Sequence, residues 1–224
     1  LTIRNLLLIH KNNPYDSLLA KESERLIRAQ NYVQEVSLRV QLTGNKSDSV
    51  DIYFRVSDTW SIIPNGAMSG TGFSIDLEDK NFLGLGHDFQ NTFSTNYTNG
   101  NTAFKSNYLI PNIRNTYIST NLHYEIDEYN NFTKYISVDR PFFSSFAKWA
   151  AGVYVGQQYR KEMIQLTDLV FLPQNFKLNT QDYWAGYSHK LFNRKTEFAR
   201  TTNLIVSGRF IHIGYIEGPS EIYD

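Results

Sequence analysis

The chain has 224 residues with 22 Lys+Arg against 22 Asp+Glu, so no global field draws it to nucleic acid or to an acidic surface. It has no cysteine, which excludes disulfides and thiolate metal sites, and no run of about 18 uncharged apolar residues that would make a membrane helix. Aromatic residues make up 15% of the chain, a profile that favours β structure with aromatic girdles and leaves a membrane barrel open, because half of each barrel strand faces a polar lumen.

The chain begins at Leu1 with no leader-like segment, as a mature or trimmed product would. TIRNLLLIH suits a short helix or strand, and KNNPYD reads as a loop in which Asp16 or Ser17 caps the helix that follows. In DSLLAKESERLIRAQ, Leu19, Ser23, Leu26 and Gln30 share a face, with Leu18 and Ile27 flanking it. Two alternating runs come next, Val36, Leu38, Val40, Leu42 and then Val50, Ile52, Phe54, Val56, joined by TGNKSDS. They predict a hairpin with one apolar face for the helix to cover.

From residue 60 onward the pattern predicts roughly nine strands and no helix. The runs lie near 61–69, 71–78, 85–97, 102–110, 115–127, 132–139, 145–157, 181–191 and 198–213, with 158–180 expected as a long connection. Several reach the ~9–11 residues of a tilted membrane strand. Pro111 and Pro141 fall between runs. In 89–110, Asn99-Gly100 suits a type I′ turn that puts Phe89, Phe93, Phe104 and Tyr108 on one side of the ribbon, with Thr95 opposite Phe104. Connections alternate in kind: Asn99-Gly100, EYNN and 158–180 lie at one end, DKNFLG, IPNIR and DRPFF at the other.

The charges follow the same alternation. Lys105 is out of phase with Phe104 and Tyr108, and Lys148 with Trp149, Ala151, Val153 and Val155. Lys134 shares a face with Phe132, Ile136 and Val138, but near a strand end, where the cost of facing lipid is small. Both faces of 198–213 are apolar, and its phase stays open. A soluble β-sandwich accounts for the alternation as well. It accounts less well for polar faces rich in Ser, Thr and Asn and poor in Lys and Glu, which suit a water-filled barrel interior.

The order of features resembles the BamA/TamA-like superfamily of outer-membrane proteins, in which polypeptide-transport-associated (POTRA) modules precede a β-barrel, with a flavour of Bacteroidota relatives. ESERLIRAQNYVQEVSLRV looks like the second helix and following strand of a POTRA module. EDKNFLGLGHDF looks like the family's early periplasmic turn, where Asn81 precedes Phe82, Gly84 and Gly86. The resemblance implies a mainly β chain: a POTRA-like α+β module over 1–59, lacking its first strand, then the N-terminal portion of an up-and-down transmembrane barrel over 60–224. It implies an outer-membrane location with the module in the periplasm, and a role in inserting or translocating client outer-membrane polypeptides. Membrane lipid and assembly-complex subunits are its implied partners; no nucleic acid, cofactor or enzymatic activity is implied. The strand at Ser61, Ile62, Ile63, Pro64, Asn65, Gly66, Ala67 and Met68 would be the closing seam, with Pro64 and Gly66 weakening its ladder. A passive pore or scaffold barrel is the second reading. Three features depart from the family: fewer strands than its barrels carry, no Val-Arg-Gly-Phe/Tyr loop motif, and Asn13 where the modules usually have Gly.

Side-chain chemistry is sparse. His10, His87, His123, His189 and His212 are scattered without metal-ligand spacing. His87-Asp88 reads as a solvated pair in a turn, and Asp139-Arg140 as a turn ion pair. Nucleophile-elbow, P-loop and dinucleotide motifs are missing from the sequence.

Overall fold

The computed structural model describes residues 3–44, 48–167, 170–192 and 196–218. A 3-10 turn at Ile3–Leu6 leads to helix α1 (Ser17–Arg28), followed by strands β1 (Val33–Leu42) and β2 (Val50–Asp58). Asp16 caps α1, its Oδ1 accepting from the amides of Leu18 and Leu19 at 3.0 and 3.3 Å. The buried residues of α1 are Ala20, Ser23, Leu26 and Ile27, so the covering face is rotated from the expected Leu19–Gln30 line towards Ile27. Ser23 explains the rotation: its hydroxyl donates to the Leu19 carbonyl at 2.8 Å and accepts from the Leu8 amide at 2.9 Å, tying the 3-10 turn to this side of the helix. Leu6, Ile27 and Val36 form the buried core, with Val33, Phe54 and Val56 packed around it. Each fully buried aliphatic side chain contributes about 1.5–3 kcal/mol.

The rest of the chain is one antiparallel sheet in chain order: β3 (Ile62–Met68), β4 (Gly72–Phe82), β5 (His87–Asn96), β6 (Thr102–Ile110), β7 (Ser119–Ile126), β8 (Phe132–Arg140), β9 (Trp149–Thr167), β10 (Val170–Lys190) and β11 (Asn203–Glu217). The nine expected strands are present as a single sheet, not as the two stacked layers of a sandwich. The sheet is open, since β3 and β11 are its two ends and do not pair with each other. A five-residue helix, α2 (Glu197–Thr201), lies where the sequence pattern predicted the start of the last strand; Thr196 caps it, accepting from the Ala199 amide at 3.4 Å.

Three further expectations are corrected. The stretch 158–180 is the far half of a β9–β10 hairpin that runs past its neighbours. Among the described residues no strand of another sheet pairs with that hairpin. The β5–β6 connection is longer than a type I′ turn: the Asn96 amide bonds the Asn101 carbonyl, the Gly100 amide bonds the Asn96 carbonyl (both 2.8 Å), and in this turn only Gly100 has positive φ. Phe93 therefore faces Phe104, and Phe89 faces Tyr108. The shift from the expected pairing is two residues, so each side chain keeps its face. Finally, Pro173, expected in a connection, lies inside β10, while Pro64 lies inside β3 as the expected strand at Ser61–Met68 has it.

Opposite faces of the sheet differ in chemistry. Ile75, Phe93, Phe104, Leu122, Ile136, Val138, Val153 and Val155 share one face and are exposed. The other face carries Asp76, Gln90, Thr92, Asn107, His123, Ser137, Asp139 and Asp182, and it is crowded. Trp184 Nε1 donates to Asp139 Oδ1 at 3.1 Å, reaching from β10 to β8 directly over Gly152 of β9. Crowding on the polar side and exposure on the apolar side mark a sheet that curls towards its polar face, as barrel sheets do. A Cβ at Gly152 would lie 1.9 Å from Asp139 Oδ1 and 2.1 Å from Trp184 Nε1. Gly152→Ala is expected to destabilise the sheet by about 1–3 kcal/mol, read as a lowered denaturant midpoint of tryptophan fluorescence, and Trp184→Phe in the same chain is expected to recover part of the loss.

Candidate functional site

With side-chain chemistry sparse, the groups available for recognition are backbone edges and the two sheet faces. The Lys80 amide bonds the Ser61 carbonyl, and the Ser69 amide bonds the Gly72 carbonyl (both 2.8 Å). The register between these points is unbroken, so the odd-numbered residues of β3 make the ladder with β4. The even-numbered residues Ile62, Pro64, Gly66 and Met68 turn their backbone groups to the free edge. Pro64 thus weakens the edge and not the ladder, contrary to expectation. Proline has no N–H to offer there, and the Gly66 amide is already taken by Asn65 Oδ1 at 2.9 Å. Only the amides of Ile62 and Met68 remain for an incoming strand, a blunted edge.

The opposite end of the sheet is not blunted. The Leu191 amide bonds the Thr202 carbonyl, which in the β10–β11 register, constant from Lys190 to Leu178, assigns the even-numbered residues of β11 up to Gly214 to β10. Ile205, Ser207, Arg209, Ile211 and Ile213 face outwards with both backbone groups, and no described strand pairs with them.

The turn residues act together. Asn81 Oδ1 accepts from the Gly86 amide at 2.7 Å, its carbonyl accepts from the Gly84 amide at 2.7 Å, and its own amide bonds Asp79 Oδ1 at 3.0 Å. Gly84 and Gly86 have φ of 71° and 73°, in the left-handed region that glycine tolerates. The Phe82 ring packs on Phe89 (5.0 Å) and edge-on to Tyr108 (6.1 Å). His87 turns to the Tyr108 hydroxyl at 2.6 Å, not to Asp88, which accepts from Asn31. Asp139 and Arg140 do not pair either. As neighbours in a strand they point to opposite faces, and Arg140 lies over the Trp149 ring at 3.9 Å.

This end of the sheet holds the helix–hairpin module. Tyr117, with φ of 57°, stacks on Phe143 at 3.7 Å, packs against the module's core and donates to the Leu6 carbonyl at 3.2 Å. Arg25 donates to the Phe143 carbonyl at 2.6 Å, and Arg200 of α2 forms a bidentate ion pair with Asp16.

The apolar face has a measurable height. On β9 its outward residues run from Trp149 to Tyr159 through Ala151, Val153 and Val155. Ten residue steps of about 3.3 Å make about 33 Å along the strand, which at the ~40° tilt of barrel strands would correspond to about 25 Å, the height of a barrel's lipid-facing band. Trp149 closes one end, and the stacked pair Phe132–Tyr159 closes the other.

No protein-family model matches the chain, and no curated protein matches it. Among solved structures it is similar to the crystal structure of BamA from Haemophilus ducreyi lacking POTRA domains 1-3, at 13% identity and a TM-score of 0.46, over 94% of this chain and 45% of that one. The chain thus spans less than half the length of that structure.

The Asp16 carboxyl is held below its ordinary pKa, chiefly by the hydrogen bond from Arg200 and further by the Leu19 and Leu18 amides, while burial pushes the other way. Because the folded value lies below the unfolded one, this stabilisation is complete above about pH 4 and is lost as pH falls through the lowered value. Acidification is therefore expected to loosen the module from the sheet, read as lower protection factors at Leu18 and Leu19, that is, hydrogen exchange relative to the intrinsic rate at the same pH. Asp16→Asn is expected to keep the cap but lose the ion pair and the pH response, whereas Asp16→Ala costs about 1 kcal/mol more.

Proposed function

We propose that this chain is part of an outer-membrane β-barrel protein that helps insert or translocate other outer-membrane polypeptides by strand pairing, with the helix–hairpin module in the periplasm. The observation that carries the membrane reading is the uncovered apolar face, about 25 Å tall and closed at both ends by aromatic rings. No helix among the described residues is long and apolar enough to cross a membrane. The resemblance of EDKNFLGLGHDF and of the preceding module to the BamA/TamA-like superfamily supports the assembly role.

In this reading the outer edge of β3 is the closing seam. Its partner finds only the Ile62 and Met68 amides to accept, so closure there is weakly held and can exchange for a client strand. The chemistry belongs to the backbone, and neither cofactor nor catalytic side chain takes part.

Membrane fractionation is expected to recover the protein in detergent extracts, with heat-modifiable gel migration. Its depletion is expected to lower the steady-state level of other outer-membrane barrels. Pro64→Val combined with Asn65→Ala restores two edge donors and is expected to slow client assembly without unfolding the sheet. A chain that stays soluble and monomeric without detergent would end the membrane reading, and unchanged barrel biogenesis on depletion would end the assembly role.

A further inference from the structure

The apolar face is not uniformly apolar at the end remote from the helix–hairpin module. Lys134 of β8, Lys161 of β9 and Lys177 of β10 all project from it, as the β8–β9 and β9–β10 registers require. Two of them converge on one aromatic pair. The Lys134 ammonium lies 5.4 Å from the Phe132 ring centre, and the Lys161 ammonium 6.0 Å from that of Tyr159, while the two rings stack at 5.7 Å. Lys177 pairs directly with Tyr159. Glu162, on the adjacent position of β9, faces the other side with Arg160, its partner at 3.4 Å. Glu217, opposite Lys177 and accepting from Asn175, is the acid on the lysines' own side. Among the described residues, three cations meet Glu217 and, in the β7–β8 turn, Asp127, which accepts from Asn131, whose own Oδ1 accepts from the Lys161 amide at 2.7 Å. Beside Lys134 lie the amides of Gln157 and Asn179, hydrogen-bonded to each other at 2.9 Å. Below them the face sinks into a hollow of about 810 Å³ walled by Phe89, Tyr108, Leu122, Tyr124, Ile136 and Val155.

We infer that this corner of the sheet is a binding site for a phosphate-bearing lipid, its acyl chains in the hollow and its phosphate among Lys134, Lys161 and Lys177. The inference rests on the membrane reading above. Positive charge predominates there and is concentrated towards one rim, where headgroups of the leaflet remote from the module would lie. The aromatic pair between the lysines fixes their ammonium groups over one patch instead of leaving them to spread through water. The neighbouring amides supply neutral donors to the headgroup's remaining oxygens, and the hollow takes the apolar part.

The full chain is reconstituted into phosphatidylcholine vesicles with and without phosphatidic acid, re-extracted in mild detergent, and its co-purifying lipid quantified. Phosphatidic acid is expected to be enriched over phosphatidylcholine. Each of Lys134→Gln, Lys161→Gln and Lys177→Gln is expected to lower that enrichment about fivefold, the effect of one basic residue near an anionic surface. Arg160→Gln, on the opposite face of the same hairpin, is expected to leave it unchanged. Incorporation into both vesicles with equal retention of the two lipids, or enrichment that survives the triple lysine variant, overturns the site and leaves the membrane reading standing. Failure to enter either vesicle overturns both.

Discussion

The sheet depends on side-chain alternation carried in phase across nine strands. A slip of one residue at any connection would transfer the apolar set of every later strand to the polar side. The hairpin connections all preserve phase, although they use different geometry. Gly100 ends the β5–β6 turn with a left-handed residue, and Asn81 ties the β4–β5 turn to the two glycines that follow it. The register shifts between Asp79 and Phe82, between Val170 and Phe171 and between Lys177 and Leu178, each time at the end of a pairing, so the faces along the rest of each pairing stay intact. The product is a ribbon whose two sides call for different surroundings: one rich in carboxylates, amides and hydroxyls, the other in Phe, Ile, Leu and Val.

That division explains the molecule's other features. On the polar side, charges are neutralised laterally: Arg209 bonds Asp182 at 2.9 Å, and Asp76 accepts from Thr92 at 2.6 Å and Gln90 at 3.2 Å. These bonds run across neighbouring strands and favour curvature towards that side, which Gly152 permits by leaving room for Trp184. The helix–hairpin module grips the same sheet through its turns. Tyr117, held in a backbone region that a bulky side chain rarely adopts, enters the module's own core. Its position and the Asp16–Arg200 pair make the module an extension of the sheet's end instead of a bead on a tether.

Much of this was legible in the sequence, and what was not has a physical cause. Helix α1 and its Asp16 cap, the β1–β2 hairpin, the nine strands and the phase of Lys105, Lys148 and Lys134 follow from periodicity, which each segment carries within itself. The β5–β6 register did not follow, because Asn-Gly serves both the two-residue turn and the longer one. The direction of Pro64 was hidden because which backbone groups face the ladder depends on the pairing and not on the strand's own residues. The phase of β11 becomes readable only beside β10, where Arg209 falls on the Asp182 side and Phe210 on the Tyr183 side. The Trp184–Asp139 bond over Gly152 joins three strands, and no local pattern signals it. Short α2 was masked by apolar residues that suit a strand equally well.

Some polar residues of the apolar face meet each other: Ser106 donates to Asn91 at 2.9 Å and, beside Lys134, Gln157 donates to Asn179 at 2.9 Å. An unpaired amide or hydroxyl facing hydrocarbon costs several kcal/mol, and such pairing removes most of that cost. Cations appear only towards the ends, Arg140 over Trp149 at one and Lys134 and Lys161 over Phe132 and Tyr159 at the other. A lysine or arginine on a lipid-facing strand costs about 2–4 kcal/mol at the midplane and about 0–1 near an interface, so this placement is what a bilayer would select.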